Sequence, residues 1–162
     1  MVMLGIDPGF QFAGFGILKK EKQKAYLLDY GLLKLPPKKS LIDRTGLFYN
    51  TFKEKIETHQ VTHLAIETPF MGKNAQNFLK LGYLRGILYL LVNQYKLEIH
   101  EFAPRQVKLA LTGFGGASKE QVARVVLRLF PKITEPQKDD VTDALAVTLC
   151  GMWQQKSNYE LR

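Results

Sequence analysis

Apolar positions recurring at every second residue, then at every third or fourth, divide the chain into strands and helices before any chemistry is considered. Runs punctuated by Gly5, Pro8, Gly9 and Gly31 predict three strands at residues 3–7, 13–20 and 25–35, with Lys19 to Lys24 as a charged hairpin turn. Ser40 is placed to cap a helix reaching about Thr58, with Leu41, Leu47, Phe48, Phe52 and Ile56 as its apolar stripe. The short run His63 to Glu67 reads as a fourth strand. A long helix follows from about Lys73 to Tyr95, carrying Phe78, Leu81, Leu84, Leu88 and Leu91, and Leu97 to Phe102 forms a fifth strand. Pro104 suits the first position of a short helix to about Leu111, where its missing N–H is not needed. Ser118, with Gln121 three residues on, is a capping-box pattern opening a helix to Phe130, and a last helix spans about Asp139 to Trp153.

Three strands in a meander, then helices alternating with strands, predict an α/β fold: a mixed five-stranded sheet flanked by helices. A single domain is expected over residues 1–154, with a polar tail at 155–162. In such sheets functional groups gather at strand ends and adjoining helix termini.

Composition narrows the class. The apolar share of 46% and aromatic share of 11% are ordinary for a globular protein. No stretch approaches the roughly 20 uninterrupted apolar residues of a membrane span, and the start lacks the pattern of a secretory leader, so a cytoplasmic location and no membrane partner are expected. Cys150 is the one cysteine; it cannot form an internal disulfide and reads as a small buried hydrophobe. A formal charge of +8 and a pI near 9.5 imply a polyanionic partner without choosing among DNA, RNA and an acidic membrane.

Against this basic background a few acids stand out. Asp7 ends the first strand, where it can either serve a site or hydrogen-bond its own loop. Glu67 ends the apolar run Leu64-Ala65-Ile66, a costly place for a carboxylate that is not paired, hydrogen-bonded or metal-bound. Asp140 and Asp143 share one face at the start of the last helix, although helix capping accounts for acids in its first turn equally well. Spacing leaves Asp139 and Asp140 equivalent, since both meet Asp143. Carboxylates converging on one point need cations between them. Hard oxygen donors suit Mg²⁺ or Mn²⁺, and an acidic two-metal pocket in a basic protein is a design for hydrolysing phosphodiesters. Scarcity of histidine and cysteine argues against zinc, and His59, His63 and His100 show no metal-ligand spacing and read as surface or strand-end residues.

The segments LGIDPGFQFAGFGIL (4–18), AIETPFMGKNAQNFLKLGYLRG (65–86), APRQVKLALTGFGGASKEQV (103–122) and DDVTDALA (139–146) together resemble, in order, the RuvC family of Holliday-junction resolvases. The resemblance implies a ribonuclease-H-like fold and a homodimer that makes paired nicks in four-way junction DNA during recombination and repair. The nicks leave 3′-hydroxyl and 5′-phosphate ends. It implies catalytic, metal-binding roles for Asp7, Glu67, Asp140 and Asp143, with Mg²⁺ as cofactor, Mn²⁺ able to substitute, and two ions per site. It prefers Asp140 over Asp139, because the family pattern reads acid-x-x-Asp-Ala-Leu-Ala, although some relatives carry histidine at that position.

The same matched segments supply candidate DNA contacts. Phe70, in the loop after Glu67, can stack on an unpaired base or anchor its loop. Lys73, Lys108 and Lys119 are candidates for phosphate contact, and Arg85 and Arg105 for either a phosphate contact or a structural ion pair. Gly113, Gly115 and Gly116 form a loop that lets backbone approach DNA, but no Gly-Lys-Ser/Thr phosphate loop is present. Leu79, Tyr83, Ile87 and Leu90 lie outside the main stripe of the long helix and face either the core or a twofold partner. The resemblance also implies a branch-migration helicase partner. Competing readings are a ribonuclease-H-like nuclease for hybrids or other branched substrates, a sugar-kinase-like ATPase suggested by Asp-Pro-Gly, and a protein that holds junctions without cutting them.

Overall fold

A computed structural model describes residues 1–68, 75–133 and 139–153. Ten elements follow in chain order: β1 (Val2–Asp7), β2 (Phe12–Glu21), β3 (Lys24–Lys34), α1 (Leu41–His59), β4 (His63–Glu67), α2 (Ala75–Tyr95), β5 (Glu98–Phe102), α3 (Pro104–Thr112), α4 (Lys119–Leu129) and α5 (Asp139–Trp153). The sheet order is β3-β2-β1-β4-β5. The meander β1–β3 is antiparallel, while β4 and β5 run parallel to β1, so the sheet is mixed as expected. This is the ribonuclease-H-like arrangement that the resemblance implies.

Alternation along β1 and β4 assigns each side chain to a face. Leu4, Ile6, Leu64 and Ile66 point to one core with Phe48, Phe52 and Ile56 of α1 and Leu84, Leu88 and Leu91 of α2. Met3, Ala65 and Phe102 point to the other, formed with α3, α4 and α5. The last helix is buried almost throughout, from Val141 to Met152, and it lies very close to the sheet. Glycines make that approach possible: Gly5 pairs with Gly16 across β1 and β2, and Gly14 pairs with Asp7. A Cβ on Gly5 would stand 1.9 Å from Thr148 Oγ1, and one on Gly14 would stand 1.8 Å from the Asp140 carbonyl oxygen. Thr148 answers the bare backbone beneath it by donating a hydrogen bond to the Gly16 carbonyl at 3.3 Å and to Ala144 at 2.6 Å.

Helix starts follow their caps. Ser40 Oγ accepts from the Asp43 amide at 3.1 Å. Ser118 and Gln121 make the reciprocal pair, with Ser118 N donating to Gln121 Oε1 at 2.8 Å and Gln121 N to Ser118 Oγ at 3.2 Å. The first helix departs from expectation at one end. Leu41 is exposed, and the buried position in that turn belongs to Arg44, whose guanidinium lies 3.9 Å from the Phe10 ring centre and donates to the Phe10 carbonyl. A cation–π contact and a backbone acceptor stabilise a charge that stands on the same helix stripe as Phe48, Phe52 and Ile56. Leu41 instead joins Ile42, Tyr83 and Leu90 around a shallow hollow floored by Gly82 and Gly86. Cys150 is fully buried on α5, as expected. Among the described residues no helix is long and apolar enough to cross a membrane. The tail at 155–162 lies outside the described residues, as do Phe70 and Lys73.

Candidate active site

Asp7 and Glu67 each follow the paired residues Ile6 and Ile66 of two parallel strands, so the two carboxylates stand side by side at the end of β1 and β4. Alternation turns both toward α5. The helix in turn begins above Gly14, the cross-strand partner of Asp7, and this brings Asp140 and Asp143 over the same strand ends. All four acids are partly buried, whereas Asp139 is exposed.

Their charges act on one another. Burial, then the charges of Asp143, Asp140 and Glu67 push the Asp7 carboxyl up to about 7, against a smaller opposing influence of Lys119. Burial and Asp143 raise Glu67 as well, opposed by Lys119 and Lys108. Asp140 is thus a neighbour whose charge reaches Asp7, whereas Asp139 reaches Lys119. Lys119 Nζ donates to Asp143 Oδ2 at 2.7 Å, and this bond is the main reason its ammonium is held above the usual lysine range. Burial, and secondarily the charge of Glu67, push the Cys150 thiol up to about 12, which leaves it inert.

Of the basic residues singled out from the sequence, Lys108 and Lys119 border the acids. Arg105 is exposed on α3, its stem packed over Gly115. Arg85 is 6% exposed. One of its nitrogens donates to the Glu67 carbonyl at 2.5 Å and the other pairs with Glu101, with Tyr89 OH 2.8 Å from the same carboxylate oxygen. The structural ion pair left open for Arg85 is the geometry found. It ties α2 to the C-terminal ends of β4 and β5, directly behind Glu67. Arg85→Leu is expected to lower unfolding free energy by about 3 kcal/mol, because it removes one partner of a buried ion pair and the donor to the Glu67 carbonyl; urea denaturation measures this, and a loss below about 1 kcal/mol would show the pair to be dispensable.

Sequence spacing missed a different cluster. Among the described residues, His63, Glu98 and His100 hold ligand atoms all within 4.8 Å of one another. Sequence spacing gives no sign of this group, because the proximity arises from strand register: His63, at the start of β4 as a strand-end residue, pairs with Glu98, and His100 is two residues further along β5. His100 is buried and not a surface residue. Arg44 and Phe10, beside the turn after Asp7, were likewise not singled out; the only signal was an arginine at a stripe position.

The family model "Crossover junction endodeoxyribonuclease RuvC" matches residues 3–151. The crossover junction endodeoxyribonuclease RuvC of Chlorobium phaeovibrioides is 44% identical over 153 residues, covering 94% of this chain and 81% of that protein. That of Pelodictyon phaeoclathratiforme is 41% identical over 152 residues, covering 94% and 80%. Among solved structures, T. thermophilus RuvC in complex with Holliday junction substrate superposes with a TM-score of 0.84 at 27% identity, covering 94% of each chain.

Proposed function

This chain belongs to the RuvC family of crossover junction endodeoxyribonucleases, and on that footing we propose that it resolves four-way DNA junctions by paired, metal-dependent hydrolysis of phosphodiesters. The observation that carries the reading is the meeting of Asp7, Glu67, Asp140 and Asp143 at one corner of the sheet, with Lys108 and Lys119 beside them. A protein that only held junctions would gain nothing from carboxylates that repel both one another and DNA.

The donor set suits divalent cations in its chemistry: oxygen ligands only, partly buried, with the Asp7 carboxyl pushed up to about 7 by burial first and then by the charges of Asp143, Asp140 and Glu67. When bound, two Mg²⁺ ions would supply Lewis-acid activation of water and charge neutralisation at the leaving oxygen, with Mn²⁺ able to substitute. Asp7 and Glu67 present ligands from rigid strand ends. Asp140 and Asp143 present theirs from the first turn of α5, whose position the glycine floor fixes. Lys119 holds Asp143 and remains two-thirds exposed, free to reach a scissile phosphate. Lys108, Arg105, Lys73 and Phe70 are the further contacts proposed for DNA, and Arg85 supports Glu67 from behind. The products are 3′-hydroxyl and 5′-phosphate ends.

Two nicks on a twofold-symmetric junction call for two active sites. The exposed apolar residues Leu79, Tyr83 and Leu90 of α2, with Ile42 of α1, lie on the α1–α2 face, away from α5, and are the face proposed to meet a second copy. The proposed setting is cytoplasmic recombination and repair, alongside a branch-migration helicase.

The test compares cleavage of a mobile four-way junction, a fork, an RNA–DNA hybrid and linear duplex in Mg²⁺. Symmetric nicks confined to the junction are expected; preferential cutting of the hybrid would move the assignment to another ribonuclease-H-like activity. Lys119→Met is expected to slow single-turnover cleavage by about 10²-fold, through loss of transition-state charge neutralisation, while binding in chelator weakens far less. An unchanged rate would remove Lys119 from the chemistry.

A further inference from the structure

We propose that His63, Glu98 and His100 form a metal site separate from the acidic pocket, selective for a borderline divalent ion such as Zn²⁺. His63 and Glu98 open β4 and β5, whereas Glu67 closes β4. Four residues of strand put roughly 13 Å between the two groups. His63 Nε2 lies 3.4 Å from one oxygen of Glu98, and His100 Nε2 lies 3.5 Å from the other. Zinc held tetrahedrally at about 2.1 Å needs ligand-to-ligand separations of roughly 3.4 Å; each histidine stands at that spacing from one Glu98 oxygen, and the three ligand atoms lie within 4.8 Å of one another.

Two further observations point to a ligand. His100 is 5% exposed, yet neither of its ring nitrogens makes a hydrogen bond, which is costly for a buried imidazole. Its ring is stacked parallel to His63 on one side and to Phe102 on the other, which fixes its plane. His63 is oriented through its other nitrogen: Thr62 Oγ1 lies 2.7 Å from His63 Nδ1 and 3.0 Å from the Val2 carbonyl. Thr62 Oγ1 also accepts from the Val2 amide at 3.1 Å, so Thr62 and the Val2 backbone together hold the His63 ring with Nε2 toward Glu98. Burial pushes both imidazoles below the usual histidine range, which keeps them in the neutral form that ligates metal. Glu98 is mostly exposed, so solvent completes the coordination, and the ion clips the edge strand β5 to β4.

The probe is Zn²⁺ alone, titrated calorimetrically into the full chain in excess Mg²⁺, with Co²⁺ absorption reporting nitrogen ligation. One equivalent is expected to bind the parent and Asp7→Asn alike and to raise their melting temperatures. Affinity is expected to fall at least about tenfold in His63→Gln and in Glu98→Gln, both of which cut junctions at the parental rate. Absence of binding in excess Mg²⁺, or equal affinity in the parent and both variants, would overturn the site. If His63→Gln fails to melt cooperatively, Glu98→Gln decides. Zinc binding retained by the inactive Asp7→Asn chain separates this site from the nuclease assignment.

Discussion

Asp7→Asn is expected to stop junction cleavage and, in metal-free buffer above neutral pH, to make the protein more stable. Loss of a ligand and of its charge costs about 10³-fold or more in rate, or roughly 4 kcal/mol of transition-state stabilisation. The stability gain follows from the position of the carboxyl, pushed up to about 7 in the fold from an ordinary 3.8. Between those values the folded chain binds the extra proton, so unfolding becomes easier as pH rises through that window and the penalty is complete above pH 7. Below about pH 4 both states are protonated and the residue is neutral to stability. With neighbouring charges able to relax, about 2–4 kcal/mol is at stake in chelator at pH 8, and asparagine removes it. Added Mg²⁺ should close the gap, because it stabilises the parent and not the variant. Paired urea melts at pH 5 and pH 8, with and without Mg²⁺, measure all of this. A variant that is less stable at pH 8 in chelator, or that still cuts, would break the link between the acidic cluster and function.

The second large effect falls on a residue with no chemistry. Gly14→Ala places a methyl 1.8 Å from the Asp140 carbonyl oxygen and 2.2 Å from its carbon. Backbone atoms cannot rotate aside as a side chain can, so either β2 or the first turn of α5 must move by more than an ångström. A loss of about 2–4 kcal/mol in stability is expected, and cleavage by the remaining folded protein should fall by about 10²-fold, as misplacement on this scale does at other active sites. Gly46→Ala is the control: it lies in α1 with open space around it, so alanine should stabilise by about 0.5–1 kcal/mol through helix propensity. If Gly14→Ala folds and cuts like the parent, the glycine floor does not position the acids.

How legible all this was in the sequence depends on the range of the interaction involved. Period and caps located every element to within two residues where the chain is described, because Ser40, Pro104 and Ser118 act within one helical turn. Glu67 stood out because a carboxylate ending an apolar strand violates a local rule. Gly14 carried no such mark, since its role depends on a helix more than a hundred residues later. The same holds for His63, Glu98 and His100, whose proximity exists only in the β4–β5 register, and for Arg85, whose partners lie on two strands. Arg44 inverted the periodic rule because Phe10, thirty-four residues away, offered it both a ring and a carbonyl.

The four acids are divided between the first strand, the fourth strand and the last helix. A polypeptide interrupted during synthesis between residues 68 and 138 therefore contains Asp7 and Glu67 but neither aspartate of α5, and has no helix to cover the glycines of β1 and β2. On the proposed assignment, a chain that stops short of α5 would hold only half of the acidic site and would not cut DNA.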